Sequence, residues 1–218
     1  MLEKTKIVKP ISLEDFEIEL ELYKQGYKYI CGVDEVGRGP LVGPVTVCAA
    51  IMDLERLVDG VSDSKKLSEK KREALFPKIL ENAICYNIAE ADNKVIDEIN
   101  ILNATKKCML KAVKGLSVTP DFVLVDAVDL DFGIPSKAII HGDALSYNIG
   151  AASIIAKVTR DRFMIKLDNE YPQYGFKKNK GYGTKEHVEA IIEHGVTPLH
   201  RSLYVKSAVA SYEQKINR

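Results

Sequence analysis

The run Phe122–Val125, FVLV, follows Pro120 and stops at Asp126. Apolar side chains at consecutive positions, without the alternation of a half-exposed strand, require cover on both faces of a sheet. That requirement calls for helices above and below a central strand. Tyr29–Val33, Val45–Met52 (VTVCAAIM), Ala83–Ala89 (AICYNIA) and Lys137–Ile140 read as further strands, the first two joined as a hairpin by a glycine- and proline-rich loop. Ser68 opens a helix running to about Leu80, and Asp92–Leu116 reads as one or two helices with Ile96, Ile99, Leu102, Met109 and Val113 inward. A long helix is expected from about Ala144 to Glu170, where the small residues of NIGAASIIAK allow close packing. Strands first and helices interleaved later indicate an α/β or α+β sheet with helices on its faces.

At 218 residues, 46% hydrophobic and 28% charged, the chain can bury one packed core. We expect one main domain over 28–218 and a helical extension over 1–27. In that extension Ser12 and Asp15 make a capping-box-like start, and Leu13, Phe16, Leu20 and Tyr23 make the inward face. No stretch reads as a membrane span, secretory leader, lipidation signal or repeat, so a cytoplasmic protein without membrane contact is expected. Cys31, Cys48, Cys85 and Cys108 lie in apolar or helical patterns with no Cys-x-x-Cys pair, which suits reduced core thiols better than disulfides or zinc. The formal net charge is zero but unevenly spread. Ile11–Leu22 carries five acids and no base, Ser64–Arg72 five bases against one acid, and Phe176–His187 four against one. Such basic patches can follow a phosphate backbone, although a solvated face has the same composition.

Asp34 closes the Tyr29–Val33 strand with Glu35 beside it, Asp126 closes FVLV, and Asp143 stands just past Lys137–Ile140. In open α/β sheets, ligands sit in the crevice outside the carboxyl ends of strands. Four acids gathered there would repel one another and lose hydration, and the remedies are protonation or a hard divalent cation. Oxygen donors with no His or Cys among them select Mg²⁺ or Mn²⁺ over zinc. Singly, each acid also has a structural reading: Asp126 as a turn cap, Asp143 as a helix N-cap, Asp34 and Glu35 as solvated loop charge. Neighbours on a strand point to opposite faces, so Asp34 and Glu35 share a site only if the strand ends or bulges between them. In the loop that follows, Gly37, Gly39 and Gly43 allow positive φ and close backbone approach, and no Gly-Lys-Ser or Gly-Lys-Thr ending marks a nucleotide P-loop. Arg38, held between two glycines, suits contact with a phosphate or sugar.

Together these blocks resemble bacterial type 2 ribonuclease H, the ribonuclease HII family. The likeness runs from about Tyr29 to Tyr204 through DEVGRGPLVGPV at 34–45, DSKKLSEKKRE at 63–73, Asp126, HGDALSYNIGAASIIAKVTRDR at 141–162 and YPQYGFKKNKGYGT at 171–184. It implies a ribonuclease H-like α/β fold with a mixed central sheet flanked by helices and a helical C-terminal region. It also implies an endonuclease that hydrolyses the RNA strand of RNA–DNA hybrids and nicks duplex DNA at embedded ribonucleotides. The implied reaction uses two metal ions and leaves 5′-phosphate and 3′-hydroxyl ends.

The family's metal carboxylates fall on Asp34, Glu35, Asp126 and Asp143, with Asp34 as the ligand shared by two Mg²⁺ or Mn²⁺ ions. Its ribose-reading motif falls on Gly37, Arg38 and Gly39, and its tyrosine against the next deoxyribose falls on Tyr182. The 2′-hydroxyl is what separates RNA from DNA at a site, and a flat ring against a sugar rejects an added hydroxyl by contact. A core role for Tyr182 is the alternative. Lys65, Lys66, Lys177, Lys178 and Lys180 are expected on phosphates, giving affinity without sequence.

Ala127 departs from the pattern where glycine is common, as do His141 and Leu145 where lysines often flank the site. Lys157 and Asp161 read as an intrahelical ion pair, and His187 and His194 as surface residues. The ending SYEQKINR has no paired aromatics, so no sliding-clamp tether is expected, and a monomer is. The rival readings are a catalytically silent duplex-binding module and a same-fold nuclease indifferent to the sugar.

Overall fold

The computed structural model describes residues 11–61 and 64–216; Asp63, which opens the DSKK block, lies outside them. Leu13–Asp15 forms a 3₁₀ turn, with the Ser12 N–H donating to the Asp15 carboxylate (2.8 Å) in the expected capping box. Helix α1 (Glu17–Lys24) then starts afresh at Phe16, which resets its phase. Glu19 and Leu22 face inward, and Tyr23, expected there, is 46% exposed.

Strands β1 (Ile30–Val36) and β2 (Val45–Met52) form the expected antiparallel hairpin. Helix α2 (Glu69–Asn82) begins on Ser68, whose Oγ accepts the Lys71 N–H, and leads into β3 (Ala83–Ala91), antiparallel to β2. Helix α3 (Asn93–Lys114) is two helices joined at Asn100, where φ is 64°. Ile96, Met109 and Val113 are buried as the spacing predicts, but Leu102, just past the break, is exposed. Strands β4 (Phe122–Asp126) and β5 (Ser136–Ile139) run parallel to β1, so the sheet is mixed, in the order β3-β2-β1-β4-β5.

The long helix expected from Ala144 is two pieces, α4 (Gly142–Leu145) and α5 (Tyr147–Glu170). Ser146 between them is extended, and its Oγ accepts the Ile149 N–H (3.2 Å), so a cap rather than a helical residue stands there. Helices α6 (Phe176–Asn179), α7 (Lys185–His194) and α8 (Ser202–Ile216) complete the chain, with α7 and α8 packing on the end of α5.

FVLV is covered on both faces, as its composition requires. Val123 and Val125 join Cys31 and Val33 in the cluster under α3, while Leu124 and Ile30 meet Ile149 of α5 on the other side. The approach of α5 is close because of Gly32: a Cβ there would lie 2.1 Å from the Asn148 carbonyl carbon. The N-terminal end of α5 is also stitched to α1. Glu19 accepts from the Ser146 hydroxyl (2.5 Å) and the Asn148 N–H (3.1 Å), and Phe16 stands edge-on to Tyr147. Burial pushes the Glu19 carboxyl upward in pKa, against these bonds and at the helix end where negative charge is favoured. All four cysteines are buried and free, as expected. Among the described residues no helix is long and apolar enough to cross a membrane.

Candidate active site

Asp34 does not end β1. The strand continues through Glu35 to Val36, paired with β2 without a bulge. What stops is the pairing on the other side, whose last rung to β4 is Val33–Val125. Alternation sends Asp34 to the α5 face and Glu35 to the opposite one, and Asp126 leaves β4 on the α5 face with Leu124. The Asp126 Oδ1 accepts the Gly142 N–H (2.7 Å), which ties the end of β4 to the turn carrying Asp143. His141, left-handed with φ 58°, makes that turn, and Asp143 is buried in the first turn of α4. Glu35, at the open end of β1, still feels the charge of Asp126 from its own face.

Burial, then the charge of Glu35, raises the Asp34 carboxyl well above the usual range, with Asp126 adding to the rise and a hydrogen bond from Ser153 opposing it. Ser153 lies on α5 and its hydroxyl is 2.7 Å from that of Ser64, so two serines hold Asp34 in place. Glu35 is raised by burial and by Asp126, against Arg38, whose guanidinium is 3.6 Å from Oε1. Its Oε2 is buried with no hydrogen-bond partner. Lys65 stands 3.7 Å from Asp143 and also steadies the charge of Glu35.

Among the described residues no three His, Cys, Asp or Glu side chains stand in an arrangement that would hold a metal ion as they are. Arg38 and Lys65 supply the positive charge on two of the four acids. The donor chemistry nevertheless fits a hard divalent cation: oxygen donors only, mutually repelling, with one buried oxygen left unsatisfied.

The loop after β1 is held from behind by two buried arginines that the sequence reading missed. Arg160 of α5 donates to the carbonyls of Val42 (3.1 Å), Pro44 (3.1 Å) and Lys180 (2.9 Å), and Arg201 to those of Gly37, Arg38 and Gly43. Gly37 is left-handed, with φ 94°, and a Cβ there would lie 2.3 Å from the Arg160 Nε. Arg160 falls one turn after Ala156 on the apolar face of α5, a signal that a bonded cation sits inside; Arg201 has no such signal.

Tyr182 is 46% exposed with its ring 3.4 Å from the Cβ position of Gly39, so it stands beside the loop and not in the core. Lys177 and Lys178 are exposed on α6 and Lys180 closes that helix, half-buried, with Nζ 3.5 Å from Glu69. Lys65 and Lys66 are exposed on a turn pinned by Arg72, which donates to the carbonyls of Ser64 and Leu67. Asp161 holds Arg72 (3.6 Å) besides making the expected pair with Lys157 (2.7 Å). His194 is exposed as expected. His187 is not a surface residue: it is fully buried among Tyr174, Phe176 and His200, and its Nδ1 is 2.8 Å from the Tyr182 carbonyl.

The family model described as Ribonuclease HII matches residues 31–207. Ribonuclease HII of Caldicellulosiruptor saccharolyticus is 53% identical over 193 residues, 88% of this chain and 94% of that protein. Among solved structures, ribonuclease H2 from Pyrococcus horikoshii OT3 superposes with a TM-score of 0.71 at 31% identity, covering 86% of this chain and 100% of that one. Bst-RNase HIII, solved in complex with Mn²⁺, is similar in fold, with a TM-score of 0.64 at 19% identity over 89% of this chain and 73% of that one. With its mixed sheet flanked by helices, and with similarity running through nearly all of the described body, this chain belongs to the ribonuclease HII family of endoribonucleases and has the ribonuclease H-like α/β fold.

Proposed function

We propose that this protein hydrolyses the RNA strand of RNA–DNA hybrids and nicks duplex DNA at embedded ribonucleotides, leaving 5′-phosphate and 3′-hydroxyl ends. One observation carries the reading: the strand that bears Asp34 and Glu35 runs within two residues into a glycine loop that lies against Tyr182. Carboxylates suited to phosphodiester hydrolysis and groups suited to reading a sugar therefore adjoin. Asp34, Glu35, Asp126 and Asp143 would hold two Mg²⁺ or Mn²⁺ ions, with Asp34 shared. When bound there, such ions would lower the pKa of a water and offset negative charge on a phosphodiester.

The chain's own groups do the rest. Ser153 and Ser64 orient Asp34. The backbone of Gly37, Arg38 and Gly39 offers hydrogen bonds to a 2′-hydroxyl, the Arg38 guanidinium reaches a phosphate or sugar oxygen, and the Tyr182 ring rejects a hydroxyl on the next sugar. Lys65, Lys66, Lys177, Lys178 and Lys180 follow the phosphate backbone. Buried free thiols suit a reducing cytoplasm, where we propose a monomer acts.

The test uses three labelled duplexes, an RNA–DNA hybrid, DNA with one ribonucleotide, and all-DNA, each with Mg²⁺, Mn²⁺ or EDTA. Cleavage of the first two with either metal, and of none in EDTA, is expected. Binding without metal-dependent cleavage would instead mark a silent module, and equal cutting of the all-DNA duplex would remove the sugar specificity.

A further inference from the structure

Arg201 is fully buried; its guanidinium lies over the Tyr204 ring (5.3 Å to the ring centre) and donates to a group of backbone carbonyls in the loop. Nη2 lies 2.6 Å from the Gly37 oxygen and 2.8 Å from that of Gly43, Nη1 is 2.9 Å from the Arg38 oxygen, and Nε is 3.0 Å from Gly43. Burial and the neighbouring Arg160 cation lower its pKa to about 10. A buried cation is a costly way to tie a loop, and these charge-assisted bonds offset that cost.

The bonds also decide what the loop presents. In a trans peptide the carbonyl and the following N–H point to opposite sides. With the Gly37 and Arg38 carbonyls drawn onto the guanidinium, the N–H groups of Arg38 and Gly39 are turned away from it, to the outer face of the loop.

The preceding residue, His200, reaches the other half of the reading site. Its Nδ1 accepts the Thr197 N–H (2.9 Å), so its ring proton sits on Nε2 and is donated to His187 Nε2 (3.2 Å). The His187 proton must then be on Nδ1, donated to the Tyr182 carbonyl (2.8 Å). Only one distribution of ring protons satisfies this series. Backbone bonds close the unit, from the Arg201 N–H to the Leu41 oxygen (2.8 Å) and from the Leu41 N–H to the Gly181 oxygen (2.8 Å).

We infer that Arg201, with His200 and His187, fixes the spacing and orientation of the Arg38 and Gly39 N–H groups relative to the Tyr182 ring, and so sets the preference for ribose. Arg201 is a positioning residue in this scheme: it acts through the loop and touches no substrate. The inference rests on the reading of the site as a ribonucleotide reader.

The test is equilibrium binding in Ca²⁺ of a DNA duplex with one ribonucleotide and of the same duplex in all-DNA form, for wild type, Arg201→Lys and His187→Gln. Lysine keeps the charge without the fork, and glutamine keeps a group facing His200 while dropping the bond to the Tyr182 carbonyl. In Arg201→Lys the ratio of the two affinities should fall roughly three- to tenfold, the scale of a displaced hydrogen bond, with all-DNA affinity held. A merely structural role would lower both affinities together, and a ratio equal to that of wild type would overturn the inference. If Arg201→Lys does not fold, His187→Gln decides, because its ratio must also drop, and an unchanged one overturns the inference. A wild-type enzyme with no ribonucleotide preference would refute the underlying reading instead, a separate result.

Discussion

Ala127 follows Asp126 at a φ of 51°, a conformation that costs a residue with a Cβ about 1–2 kcal/mol. Its N–H is bonded to the Ile139 carbonyl (2.9 Å), which holds it there. Ala127→Gly should therefore raise stability by roughly 0.5–1 kcal/mol, part of the relief being offset by the looser unfolded chain. Thermal melting checks this, and a lower midpoint would deny the strain. Asp34→Asn keeps shape and removes charge. On the proposed reading this takes away a metal ligand and leaves the phosphate contacts, so turnover should drop by a factor on the order of 100 or more with duplex affinity within a few-fold; cleavage at the wild-type rate would refute the role. The raised Asp34 carboxyl adds a second expectation. A carboxyl raised by burial contributes stability below its ordinary range and loses it as pH rises through the raised value, so in EDTA at neutral pH Asp34→Asn should melt no lower than wild type. The nearness of the acids could be read from the sequence because each lies at or close to the carboxyl end of a candidate strand and repulsion needs a remedy, although β1 runs on past Asp34 to Val36. Arg201 could not, since its partners in the loop are carbonyls, which every residue has.

Gly32 and Ser146 decide where α5 lies. Alanine at Gly32 would drive a Cβ into the Asn148 backbone, where nothing flexible can yield. Gly32→Ala should cost roughly 1–3 kcal/mol in chemical denaturation and displace the helix that carries Ser153. The strands were readable from their apolar runs, and the closeness of α5 from its small residues. The break at Ser146 was not, because Ala144 and Leu145 continue a helical pattern, and besides its local cap bond to Ile149 the Ser146 hydroxyl is held by Glu19, which arrives from another element. Asn100 was hidden for a similar reason: a single left-handed residue leaves the apolar spacing nearly intact, yet it turns Leu102 out.

The buried histidine pair gives the folded protein a pH response. Burial, then the nearness of His187, holds His200 down to about 4, while an unfolded chain has it near the ordinary histidine value of 6.5. Its contribution is thus complete above the unfolded value and is lost as pH falls through the folded one. Stability therefore declines as pH drops from about 6.5 toward about 4. Melting temperature followed against pH should fall more steeply for wild type than for His200→Gln, and parallel curves would contradict the tautomer series. Neither histidine could be identified as internal from sequence, since His187 lies on an amphipathic helix and only the fold brings His200 to it.

Glu19 lies before residue 31, where the family model begins to match, yet its carboxylate seats the helix pressed against the Asp34 strand. A chain shortened to the matched span would leave the Ser146 hydroxyl and the Asn148 amide without that acceptor and would uncover Leu22's contacts with Ile139 and Ile149. The leading arm thus works as a wedge under the turn that carries Asp143. Trimming it for convenience would slacken the very corner from which Asp143 projects.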